Sequence, residues 1–290
     1  MKRFTWWVVV GMFVLSSATG NAWGGRTHKK ITSDAYFIMP APFRAFLGEK
    51  PGATTKAPYL KSLLEACVEP DSVLKDFRNH VFHIHGYNLG NGPFHVEDLA
   101  KEVVEDIKAK ASMKKIVQKL GWLAHYIGDL AQPLHTGVAT WEGIEEKAYH
   151  SKYEKAIDRQ IYSFGVKFDG CHPTSRVSAR MIYEALWANR YYAAVETAYT
   201  GGEKYEQVKE LTAECYSRAV NNVVDVWYSI WIAAGGKVNP KLDSKPKYYP
   251  PHWKKKLLQY QDNGPESGAE EDPKETPAAV PQETAGKAAE

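Results

Sequence analysis

The chain has 290 residues, 44% of them hydrophobic, and a formal net charge of +3. That length supports one sizeable core, or at most two small domains. Removal of a leader carrying Lys2 and Arg3 would lower the charge to +1, which excludes a nucleic-acid or membrane partner chosen by whole-chain charge alone.

In chain order, residues 1–22 read as a signal peptide. Lys2 and Arg3 form a basic start, Trp6 to Leu15 an apolar stretch too short to span a bilayer comfortably, and Gly20 and Ala22 the small residues before a cut. Cleavage between Ala22 and Trp23 would export the protein and make Trp23 the first residue. Its free amino group and its own carbonyl oxygen then form a five-membered chelate for a metal. Past the leader the apolar pattern is helical. Val96, Leu99, Val103 and Ile107 mark one amphipathic helix within 95–111. Ile116, Leu120, Leu123 and Ile127 mark a second within 112–131, which Pro133 should end or kink. Further helices are expected at 145–164, 174–200 and 203–234, the last two separated by Gly201 and Gly202. No convincing run of alternating strand residues stands out, and no second apolar stretch reaches membrane-spanning length. The expected fold is all-α, a compact multi-helix bundle of about seven or more helices.

Residues 236–257 carry seven Lys against one Asp, with four Pro, and suit a solvated arm packed on the bundle. From 261 to 290 eight acids outnumber two Lys and apolar bulk is nearly absent, as in a disordered tail. The domain plan is therefore a leader at 1–22, a helical domain at 23–260 and the tail. Cys67, Cys171 and Cys215 allow one disulfide with one buried thiol, or none.

Candidate chemistry lies in four places. His28 follows Trp23 by five residues. The segment 69–88 holds Asp71, His80, His83 and His85. In AHYIGDLAQPLH (124–135), His125 and Asp129 stand four apart and share one helix face, with His135 beyond the proline. In HSKYE (150–154), His150 and Glu154 repeat the pairing. Any one of these histidines alone is more often structural, and an isolated His–acid pair is often a surface contact. Two nitrogen–carboxylate pairs on neighbouring helices favour metal ligation.

This order of motifs resembles the zinc-dependent phospholipase C and S1/P1 nuclease superfamily, over Trp23 to Glu154. The resemblance implies three zinc ions in a cleft of an all-helical domain. Trp23 and His28 would hold one. Asp129 would bridge it to a second, completed by His125, Asp71 and one His of the 80–85 segment. His135, His150 and Glu154 would hold the third. Among the segment's histidines His85 is preferred, fourteen residues after Asp71 and followed by Gly-Tyr-Asn. Zinc at such a site supplies hydroxide near neutral pH, and Asp71 is the candidate general base.

The sequence around Glu154 is closer to the phospholipase C branch, whereas the short Trp-x4-His spacing is closer to the nuclease branch. The favoured expectation is an exported zinc-dependent phosphodiester hydrolase that releases a phosphorylated head group from phospholipid at a membrane surface. A single-strand nuclease acting on nucleic acid is the alternative, and no protein partner is implied. A non-catalytic helical protein stapled by zinc fits less well, because structural zinc sites usually close with four ligands, often thiolates. An exported binding module without metal is a further reading.

Overall fold

The computed structural model describes residues 23–50, 57–84, 89–137 and 144–251. The leader and the acidic tail lie outside these residues, as does His85. Among the described residues the chain forms ten α-helices and one pair of short strands. The helices are α1 (Gly25–Ile38), α2 (Ala41–Phe46), α3 (Leu60–Ala66), α4 (Gly92–Lys108), α5 (Met113–Leu130), α6 (Ile144–Gln160), α7 (Val177–Asn189), α8 (Tyr192–Thr200), α9 (Tyr205–Ala233) and α10 (Pro240–Asp243). The all-α expectation holds. No helix among the described residues is long and apolar enough to cross a membrane.

Helix α5 is the axis of the bundle. The Ser112 side chain caps it by accepting from Lys115 N–H, and its buried residues run nearly all round, from Ile116 to Leu130. It packs against α1, α3, α4 and α9. At Gly121 a Cβ would stand 2.7 Å from Ala66 Cβ and 2.9 Å from the Leu63 carbonyl oxygen. The missing side chain lets α3 approach closely, which places the end of α3 beside the ligand-bearing turn of α5. Beyond it, Gln132 accepts from Leu134 N–H and Pro133 opens a 3₁₀ turn, Pro133–His135.

The 174–200 expectation splits into α7 and α8, with the break at Arg190 and Tyr191. Two strands that the sequence did not reveal also form. Strand β1 (Val166–Phe168) pairs antiparallel with β2 (Lys247–Tyr249), so part of the basic arm is sheet, with Val166 opposite Tyr249. Four side chains of α9, each four residues after the last, hold the chain around and beyond β1. Ser217, Asn221, Asp225 and Ser229 accept the N–H groups of Lys167, Asp169, His172 and Thr174 respectively. Among the described residues all three cysteines are free thiols, and each is buried.

Candidate metal centre

His125 and Asp129, one turn apart on α5, are both fully buried. His125 Nδ1 lies 2.8 Å from the Cys67 carbonyl oxygen just past α3. A carbonyl only accepts, so Nδ1 carries the proton and Nε2 keeps its lone pair. Asp129 Oδ1 is 3.2 Å from His28 Nε2 of α1, while its Oδ2 is 3.2 Å from His125 Nε2 and 2.9 Å from His80 Nδ1. The two oxygens of one carboxylate thus face different groups of histidines. Asp71 sits on a single π turn, Pro70–Leu74, with Oδ1 3.5 Å from His80 Nδ1 and 3.6 Å from His125 Nε2.

A second nest forms where the 3₁₀ turn meets α6. His135 Nδ1 donates to the His80 carbonyl at 2.8 Å, leaving Nε2 to face His150 Nε2 at 3.2 Å. His150 Nε2 is in turn 3.0 Å from Glu154 Oε1. Three sets of donor atoms therefore converge within 4.8 Å of one another: His28, Asp71 and His125; His80, His125 and Asp129; His135, His150 and Glu154.

These contacts are unfavourable for protein alone. The His80–His125 and His135–His150 ring nitrogens lie 3.1 and 3.2 Å apart. With the other nitrogens of His125 and His135 committed to carbonyls, their Nε2 atoms are crowded against a neighbouring ring nitrogen. Among the described residues, neither ring nitrogen of His28 meets a partner in hydrogen-bond geometry, nor do Asp71 Oδ1, Asp129 Oδ1 and Glu154 Oε1. Burial works against a charge on His125, yet the carboxylates of Asp129 and Asp71 raise its pKa to about 10. His28, stacked on it at 3.8 Å, is lowered by burial and by His125. Burial pushes Glu154 well above its ordinary value, and the charges of Asp129 and Asp71 push it further. Burial likewise drops His135 to about 3. Buried acids and lone pairs in this arrangement call for a cation. Nitrogen and carboxylate donors in groups of three match a zinc centre that keeps positions open.

Every described candidate ligand except Trp23 and His83 falls in one of these groups. Trp23 is fully buried beside them, its indole N–H donating to the Gly128 carbonyl at 2.7 Å between His125 and Asp129. His85, the histidine preferred from spacing, lies outside the described residues. His80 is the described histidine of that segment that enters the cluster; His83 packs near Gly137, where burial lowers its pKa. Asp76 also escaped sequence reasoning. Its Oδ1 stands 3.2 Å from His80 Nε2, four residues on, and it accepts from Tyr126 O–H and Asn79 Nδ2 at 2.8 and 2.7 Å.

Residues 27–235 match the family model for zinc dependent phospholipase C. The chain belongs to the zinc-dependent phospholipase C family. The match takes in His28 through Glu154 and leaves Trp23 just outside. No curated protein matches the chain. Among solved structures, the alpha toxin from Clostridium absonum is similar with a TM-score of 0.53 and 15% identity, over 76% of this chain and 66% of that one. The alpha-toxin of an avian strain of Clostridium perfringens gives a TM-score of 0.46 and 11% identity over the same shares of each chain. At such identities the likeness to the first is one of fold, and the second adds no argument. This zinc-dependent phospholipase C family member spans 66% of the length of either toxin.

Proposed function

We propose that the protein is an exported phosphodiester hydrolase of the phospholipase C type, releasing a phosphorylated head group from phospholipid. The observation that carries this reading is the convergence of three donor groups, in which buried carboxylates and imidazole nitrogens crowd together as ligands of a cation do. Three zinc ions are assigned. His28 would hold one, joined by the amino group and carbonyl oxygen of Trp23 once the leader is removed, and Asp129 would serve both it and a second, for which His80, His125 and Asp71 are the other ligands. His135, His150 and Glu154 hold the third.

Bound zinc supplies Lewis-acid activation of water and of the phosphoryl group. The protein's own residues do the rest. The carbonyls of Cys67 and His80 fix the tautomers of His125 and His135, so each presents Nε2 to the cluster. Asp71, the most exposed acid among the described ligands at 8%, is placed to take the proton of the attacking water. The new bond runs from water oxygen to phosphorus, the bond from phosphorus to the lipid alcohol breaks, and that alcohol leaves with the proton. Single-stranded nucleic acid carries the same ester chemistry, and the Trp-x4-His spacing keeps a nuclease as the second reading.

The test is to count zinc in the exported, processed protein and to assay a phosphocholine ester, a phospholipid and single-stranded DNA, with and without chelator. Three zinc per chain and chelator-sensitive head-group release are expected. Full activity after metal removal would sink the reading, and cleavage of DNA alone would transfer it to the nuclease branch.

A further inference from the structure

Between the cluster residues Asp71 and His80 the chain runs DSVLKDFRN. Both acids of this stretch turn inward. Asp71 joins the donor groups, and Asp76 is held by Tyr126 and Asn79 against His80. Apart from Ser72, the exposed side chains of the stretch are apolar or cationic: Val73, 67% exposed, with Leu74, Lys75, Phe77 and Arg78. Phe77 is exposed on one side while its ring lies 5.9 Å from that of His80. Leu89 and Phe94 continue the surface on the returning chain. Asn91 N–H donates to the Arg78 carbonyl and Phe94 N–H to the Asn91 carbonyl. Five of the eleven exposed large apolar side chains among the described residues fall between 73 and 94. An apolar concentration of this kind marks a binding surface rather than chance exposure.

The shape of the turn is built for display. Lys75 takes a left-handed backbone, φ 54°, and its N–H closes the π turn on the Pro70 carbonyl. This puts Val73 and Leu74 at the tip while Asp71, at the foot of the same turn, faces the metal ligands. A phospholipid bilayer has the matching layout, with phosphates at the level of the basic side chains and acyl chains beneath to take the apolar tips. A soluble substrate would not need such a rim.

We infer that the 72–78 turn, with Phe94 beside it, is a docking surface for a phospholipid bilayer, which seats the opening next to Asp71 on the membrane. The inference rests on the phospholipid reading of the site and names how that site meets its substrate in aggregated form.

The experiment compares wild-type protein with a Val73→Asp, Leu74→Asp double variant. Cosedimentation of the zinc-loaded protein is measured with vesicles of phosphatidylcholine, alone and mixed with phosphatidylserine, in the cold and over times too short for measurable head-group release. Wild type should bind and the double variant should bind at least about tenfold more weakly. At working temperature the variant should lose hydrolysis of vesicles while cleaving a monomeric short-chain phosphocholine ester like wild type. That activity also certifies its fold. A Lys75→Gln, Arg78→Gln variant should lose the gain that phosphatidylserine gives. Equal vesicle binding by wild type and the double variant would overturn the inference. So would a wild-type dimer in sedimentation velocity that the double variant disperses, since the patch would then belong to a second copy. Vesicle binding lost in the variant but no head-group release by wild type would count against the proposed reaction, and leave the docking surface standing.

Discussion

His80 has two ring nitrogens with different neighbours, and that difference fixes its use. Asp76 is held by Asn79 and Tyr126, whose hydrogen bonds lower its pKa although burial works the other way. As a carboxylate it can accept the Nε2 proton of His80 at 3.2 Å, which would free Nδ1, 2.9 Å from Asp129, for a cation shared with that carboxylate. His80→Ala should therefore cost one zinc per chain, whereas His85→Ala should leave the count unchanged, both read by elemental analysis. Asp76→Ala should keep the ligand but weaken zinc about 10–100-fold in competition with a chelator. An unchanged affinity would leave Asp76 a local structural contact. The His125–Asp129 and His150–Glu154 pairs were legible in the sequence because a helix converts a spacing of four into a shared face. His80 was not. Counting from Asp71 measures chain length, and here a π turn followed by a 3₁₀ turn, Phe77–Asn79, bends the path so that a residue only nine along arrives at the cluster.

Helices were read well from the sequence wherever apolar residues recur at 3–4 spacing, as along α4, α5 and α9. The split between α7 and α8 carries no Gly or Pro at the break to announce it, and three-residue strands are too short to show alternation. One signal for β1 was present, however. Ser217, Asn221, Asp225 and Ser229 put polar groups at every fourth position of α9, on one face of the helix, and each accepts a backbone N–H from the segment 167–174. Asp225 is the rung with a charge. Burial outweighs the His172 N–H and Arg180 and raises its pKa from 3.8 to about 7. Between those values the folded state holds more protons than the unfolded one, so this group's contribution to stability falls as pH rises from about 4 to about 7. Asn at 225 can still accept the His172 N–H but does not titrate. Urea midpoints measured across that range should show wild type losing ground to Asp225→Asn by up to about 4 kcal/mol. A constant difference between the two would mean that the carboxylate stays ionised against Arg180 throughout.

Across the whole molecule, the beginning of the helical domain is pinned to α5 and α6, which carry four of the proposed ligands. The Trp23 indole is buried and donates to Gly128 of α5. Thr27 gives both its backbone N–H and its hydroxyl to Asp158 of α6, at 3.0 and 2.6 Å. A Cβ on Gly24 would stand 2.1 Å from an oxygen of Asp158, so a larger residue there would have to push that carboxylate off Thr27. Trp23 thus enters the core beside the metal groups with little freedom, and its amino group can join His28 only if nothing is bonded to it. Metal that binds the folded state alone stabilises it by mass action, and stripping it should lower the midpoint of thermal unfolding by roughly 10 °C. A chain that keeps residues ahead of Trp23 should hold one zinc fewer than the processed protein, and its midpoint should fall less on chelation. Elemental analysis and calorimetry of the two forms, side by side, read both effects. Equal zinc counts would mean that the amino group is no ligand and that His28 draws its metal from Asp129 and its neighbours alone.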